Sequence, residues 1–200
     1  QLRDLCSGYY DELSFVAENG AFVKDQRQLV FTADIPRETV DLVIDVCREY
    51  PEISNVVCGL NSAYCERGSV DQDFFDLTNI YYHRLQWVDD FKEIKDQILK
   101  FAPTVPIEKT YDYYDIFRER LAGKIDPTTS GHGSIDLIFP GCHKAQGLER
   151  LVKRWGISPD QCVAFGDGGN DIEMLKYCGQ SYAMGNACLL YTSPSPRDVE

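Results

Sequence analysis

Phe165-Gly166-Asp167-Gly168-Gly169-Asn170-Asp171 constrains this chain more than any other stretch. Before it, Gln161-Cys-Val-Ala-Phe165 is short and apolar and reads as a buried strand. After it, Ile172-Glu-Met-Leu-Lys-Tyr177 has helical spacing. The two carboxylates and the amide therefore fall at a strand-to-helix turn, where open α/β sheets place their ligands. Two acids among glycines repel a bare phosphate, so a phosphate ligand here needs a divalent cation between, and oxygen-only donors favour Mg²⁺.

Other readings of the loop fit less well. A dinucleotide fingerprint needs a third glycine where Asp171 stands, and that acid would oppose a pyrophosphate. An EF-hand needs oxygen ligands at alternate positions, yet Gly169 holds the third and no glutamate closes the loop at the right distance. A plain polar connection with Asp171 capping a helix is the bland alternative.

Upstream, Ser134-Ile-Asp-Leu-Ile-Phe-Pro-Gly-Cys-His-Lys144 reads as a strand, a Pro140-Gly141 turn and a lysine at a helix entrance. Leu148, Leu151, Val152 and Trp155 then follow at i, i+3, i+4 and i+7, and Gly156 is placed to end the helix. A cation in the first turn opposes the helix dipole. Taken alone Lys144 reads as a solvated surface residue. Beside an acidic loop, its three donors suit a phosphate oxygen.

These segments resemble the third and fourth motifs of the haloacid dehalogenase superfamily, in its Cof-type sugar-phosphate phosphatase group. The matching text is Gly131-His-Gly-Ser-Ile-Asp-Leu-Ile-Phe-Pro-Gly-Cys-His-Lys-Ala145, Gly166-Asp-Gly-Gly-Asn-Asp-Ile-Glu-Met-Leu175 and Ala183-Met-Gly-Asn-Ala187. Leu13-Ser-Phe-Val-Ala-Glu-Asn-Gly-Ala21 is similar to the family's strand and following turn. Cys58-Gly-Leu-Asn-Ser-Ala-Tyr64 and Tyr81-Tyr-His-Arg-Leu85 are similar to its cap segments. The resemblance implies an α/β fold: a Rossmann-like core, at 1–36 and 131–187, with an inserted α+β cap at 37–130 that selects the substrate.

It also implies a Mg²⁺-dependent, cytoplasmic phosphatase of sugar phosphates or similar small phosphomonoesters, acting through an aspartyl-phosphate. Lys144 corresponds to the phosphate-stabilising lysine, Asp167 to the Mg²⁺-binding aspartate and Asn170 to a phosphate-contacting amide. Asp171 corresponds to a residue that braces the loop or supports the metal from behind. The nucleophile and general acid belong to an Asp-x-Asp-Gly motif, and no such run occurs in the chain. The expectation is a fragment that starts just past the family's first two motifs and is inactive alone. The missing strands would leave Ser14 to Ala17 and Val163 to Phe165 three strand spacings apart, roughly 14 Å. A phosphomutase and a non-catalytic sugar-phosphate sensor are the alternatives.

Composition agrees. A net charge of −12 argues against nucleic acid and anionic membranes, both of which reward a positive face. The eight cysteines form no Cys-x-x-Cys pair, and several sit in apolar runs, which suits reduced thiols. Cys142 and His143 adjoin the lysine but have no partner residues for a metal. No apolar run is long enough to span a membrane and no leader opens the chain at Gln1, so a soluble protein that is not secreted is expected. The tail from Cys188, Leu-Leu-Tyr-Thr-Ser-Pro-Ser-Pro-Arg-Asp198, resembles translated adaptor read-through that replaces the true C-terminus, against a Ser/Pro-rich disordered end as the alternative.

Within 37–130, Arg37 to Tyr50, Asp71 to Tyr81, Phe91 to Ile98 and Thr110 to Leu121 read as helices. Ile53 to Leu60, Ala63 to Arg67, His83 to Val88, Leu99 to Val105 and Ile125 to Thr129 read as strands. Trp87, Tyr111, Tyr113, Tyr114 and Phe117 are candidates for a sugar pocket, although aromatic residues at helical spacing are more often core.

Overall fold

The apolar runs of the sequence are paired into three sheets in a computed structural model that describes residues 6–185 and 187. Strand β1 (Ser14–Ala17) forms an antiparallel meander with β2 (Phe22–Asp25) and β3 (Gln28–Thr32). The chain then enters helix α1 (Arg37–Arg48), whose Val40, Val43, Ile44 and Cys47 are buried on one face, as their spacing predicts.

The largest sheet has six strands. Strands β4 (Val57–Gly59) and β5 (Ala63–Glu66) form the expected hairpin around Asn61-Ser62. After helix α2 (Gln72–Asn79), β6 (Leu85–Val88) pairs parallel with β5. Strand β7 (Ile98–Phe101) lies beside β4. Helix α3 (Thr110–Arg120) leads into the hairpin of β8 (Asp126–Gly131) and β9 (Ser134–Ile138), giving the order β6-β5-β4-β7-β9-β8. Val57, Phe101, Ile135 and Leu137 of this sheet share the main core with residues of α1 and α3. The opposite face covers β4 to β6 with α2 through Phe74, Phe75 and Trp87.

Helix α4 (Lys144–Trp155) ends at Gly156, whose φ of 67° is the left-handed cap the sequence predicts. Strand β10 (Val163–Gly166), helix α5 (Ile172–Tyr177) and β11 (Gln180–Ala183) follow, with β10 and β11 paired parallel.

Two readings need correction, and one hairpin went unread. The stretch Phe91 to Ile98 is not a helix: only Phe91–Glu93 makes a single 3₁₀ turn before the chain extends into β7. Tertiary bonds override the local preference, because the Arg37 guanidinium takes the carbonyls of Lys92 and Ile94 at 2.6 and 3.1 Å. The β2–β3 hairpin went unpredicted because its turn carries Gln26 at a φ of 52° in place of the usual glycine or asparagine. The boundary at 130/131 falls inside the β8–β9 hairpin. Both strands belong to the six-stranded sheet, so Ser134–Ile138 pairs with β7 and β8 and not with β10.

Strands β1 and β10 lie in different sheets and do not pair. Phe165 and Tyr182 stack on each other with ring centroids 5.2 Å apart, and Phe165 is 62% exposed. The tail 188–200 and Asn186 lie outside the described residues.

Candidate active site

Lysine 144 is the first residue of α4, immediately after His143, whose Nδ1 accepts the Gln146 N–H at 3.2 Å. His143 is thus the helix cap, and Cys142 beside it is buried in the small cluster of Ala21, Ala33 and Leu99. Lys144 Nζ reaches the acidic loop, donating to Asn170 Oδ1 at 3.1 Å and to Asp171 Oδ1 at 2.5 Å.

Asp171 organises that loop. Its second oxygen, Oδ2, accepts the backbone N–H groups of Asp167 at 3.0 Å and Gly168 at 3.1 Å. The loop can fold this closely over the carboxylate because a Cβ on Gly166 would stand 2.6 Å from the Asp171 Cβ. Burial pushes the Asp171 carboxyl up, but Lys144 and the two backbone donors outweigh it and hold the carboxyl below its ordinary value. With both oxygens engaged by donors, Asp171 is a brace.

Of the predicted residues, Lys144, Asn170 and Asp171 are in direct contact, and Asp167 joins them through its backbone N–H. Asp167 is exposed. Among the described residues no group of three or more His, Cys, Asp or Glu is placed to hold a metal ion.

Three residues escaped the sequence reading. Asn170 Nδ2 donates to Asn19 Oδ1 at 3.1 Å, Asn19 Nδ2 to Asp136 Oδ2 at 2.8 Å, and Lys100 Nζ to Asp136 Oδ1 at 2.9 Å. A signal existed: Asp136 and Lys100 are lone charges inside the apolar strands β9 and β7, and a buried charge demands a partner. Burial disfavours the Lys100 charge, but the Asp136 and Glu18 carboxylates overcome this and hold its ammonium firmly protonated.

The aromatic candidates divide. Tyr113 and Phe117 are buried in the core and Trp87 stacks on Phe75 at 4.4 Å, so these three are structural. Tyr111 and Tyr114 line a cleft of about 320 Å³ with Thr128, Thr129, Gly169, Ile172 and Glu173, which brings α3 and β8 against the acidic loop.

The family model for haloacid dehalogenase-like hydrolases matches residues 3–189. A 5-amino-6-(5-phospho-D-ribitylamino)uracil phosphatase of Escherichia coli K12 is 40% identical over 177 residues, covering 88% of this chain and 65% of its own length. A Bacillus subtilis phosphatase of the same name is 24% identical over 190 residues, covering 90% of this chain and 69% of its own. The chain thus spans 65% of the length of the first of these relatives. A crystal structure from Streptococcus mutans UA159 matches with a TM-score of 0.91 at 31% identity, over 96% of this chain and 73% of that one. A subclass IIB sugar phosphatase shares the fold, with a TM-score of 0.75 at 19% identity over 90% of this chain and 67% of that one. With the family model matched over residues 3–189 of this chain and the fold shared with the Streptococcus mutans structure, the chain belongs to the haloacid dehalogenase-like hydrolases.

Proposed function

We propose that this chain carries the phosphate-gripping half of a Mg²⁺-dependent phosphatase that hydrolyses sugar phosphates or similar small phosphomonoesters in the cytoplasm. The observation that carries it is the convergence of Lys144, Asn170 and the Asp167 loop, from two separate segments, on one spot. Lys144 offers a point charge to a phosphate oxygen and Asn170 an amide beside it. Asp171 keeps the lysine aimed and the loop closed.

The donor set fits Mg²⁺ as a shared site. Mg²⁺ commonly takes one or two carboxylates and draws its other oxygens from water and phosphate, and Asp167 is proposed as the carboxylate that serves. When bound, the metal would neutralise phosphate charge. Asp171 would act behind Asp167 by fixing its backbone.

The nucleophilic aspartate of the family's aspartyl-phosphate route has no counterpart among these residues, and the chain alone is proposed to turn over no phosphate ester. The cap is proposed to comprise 37–130 together with β9, the core pieces being 1–36 and the residues from the Phe139 connection to 187, with 188–200 as a non-native tail. The cleft of Tyr111 and Tyr114 beside Gly169 is proposed to receive the leaving group. A similar E. coli protein bears the name of a phosphatase for a phosphoribityl-aminouracil, which makes a phosphorylated polyol with a planar ring one substrate to test.

Titration of the chain with inorganic phosphate in Mg²⁺ tests the reading. Uptake of phosphate that Lys144→Ala abolishes supports it; binding that survives both Lys144→Ala and Asp167→Ala refutes it.

A further inference from the structure

The polar contacts of the site continue out of the loop and into the six-stranded sheet. Asn170 is bonded to Asn19, Asn19 to Asp136 and Asp136 to Lys100, at 3.1, 2.8 and 2.9 Å. Lys100 Nζ also stands 3.4 Å from Glu18 Oε2. Asn19, Asp136 and Lys100 are only 7%, 4% and 8% exposed.

The direction of every bond in this series is dictated from one end. The Asp136 carboxylate, held by the Lys100 ammonium, can only accept, so Asn19 must present Nδ2 to it and Oδ1 to Asn170. Asn170 must then present Nδ2 to Asn19, which leaves its Oδ1 facing Lys144. If Asn170 turned over, it would set a donor against the ammonium. The backbone holds Asn19 in place as well. Its φ of 52° and ψ of 34° are left-handed, a region asparagine tolerates better than most residues. The following Gly20 lies so close to the start of α4 that a Cβ there would stand 2.4 Å from the His143 carbonyl oxygen.

We propose that Asn19 is a positioning residue for the phosphate grip: locked by Asp136 and Lys100, it fixes the Asn170 carboxamide in the orientation that holds Lys144. This rests on the phosphate reading of the Lys144–Asn170 site given above. The six-stranded sheet thereby sets the geometry of the grip through a residue that itself touches no phosphate.

The side-chain amide signals of Asn19 and Asn170 in ¹⁵N-labelled chain test the proposal without any ligand. Both NH₂ pairs should exchange slowly with water, and the Asn170 pair should shift and exchange faster in Asn19→Ala and in the isosteric Asp136→Asn. Solvent-like exchange in the unsubstituted chain overturns the proposal even if neither variant folds, as does an Asn170 pair unmoved in a folded Asn19→Ala. In titrations with inorganic phosphate and Mg²⁺, Asn19→Ala should weaken binding about tenfold, the lower end of what supporting residues of a bound group contribute. Asn19→Ala and Asn170→Ala combined should cost no more than Asn170→Ala alone. Phosphate affinity unchanged in Asn19→Ala overturns the proposal and leaves the phosphate reading intact. No phosphate uptake by the unsubstituted chain, with the amide signals responding as expected, overturns the phosphate reading and leaves the positioning of Asn170 by Asn19 standing.

Discussion

Lys144 and Asp171 stand 27 residues apart in the chain and 2.5 Å apart in the fold, and the same carboxylate that holds the lysine also closes the acidic loop. Removing it breaks both. Asp171→Ala leaves two backbone donors and a half-buried ammonium without their acceptor, at a cost of about 2 kcal/mol. Urea denaturation should show the loss as a lower midpoint with an unchanged slope.

The same contact predicts an acid limb. The folded-state value of Asp171 lies below its unfolded one, so its stabilisation is complete above about pH 4 and declines as pH falls through the folded value. Asp171→Asn has no carboxylate to titrate, so its denaturation midpoint should fall less steeply than that of the unsubstituted chain as pH drops below about 4. Parallel curves for the two would remove Asp171 from the acid response.

The placement of α4 against β1 has its own test. A Cβ on Gly147 would meet Val16 Cγ1 at 2.4 Å and the Gly20 Cα at 3.2 Å. Although alanine is the better helix former, Gly147→Ala should therefore destabilise the chain by about 1–3 kcal/mol through overpacking. A raised thermal midpoint would show that the helix can slide without cost.

On the proposed aspartyl-phosphate route, the protein in which to measure hydrolysis is the chain joined to an N-terminal segment bearing Asp-x-Asp-Gly. In that protein Lys144→Ala and Asp167→Ala should each lower the rate roughly a hundredfold or more, through lost charge on the transferring phosphoryl group and lost metal binding. Cys142→Ala and His143→Ala should change it little, since one packs in a cluster and the other caps a helix. Abolition by His143→Ala with Lys144→Ala active would reverse the assignment.

The stacked pair Phe165 and Tyr182 lies on a two-stranded sheet that no further strand joins among the described residues. An open sheet edge templates association. The weight-average mass of the chain from light scattering should rise with concentration, and Phe165→Lys should suppress the rise without lowering the thermal midpoint.

Much of this was legible in the sequence wherever the signal is local. The span of α4, its left-handed glycine cap, the loop between β10 and α5, and the β4–β5 hairpin all follow from spacing and turn residues within a dozen positions. Illegible features depend on partners far along the chain. Asn19 and Asp136 are 117 residues apart, so only the oddity of a lone acid in an apolar strand announces their bond. Residues 91–98 read as a helix because their local preference says so, and Arg37 decides otherwise from outside the segment.

The passage from the meander to the six-stranded sheet is abrupt. Ala33 N–H is bonded to Ala21 in the first, and Ile35 N–H, two residues on, to Ile98 at the start of β7. Asp34 alone separates them. Beside this crossing runs the returning one, where Cys142 and Phe139 join the apolar cluster that holds Ala33. Two adjacent crossings act like the two leaves of a door hinge. They resist twisting of one layer against the other and leave bending as the soft coordinate, so any opening of the cleft at Tyr111 would swing about the line through Asp34 and Phe139.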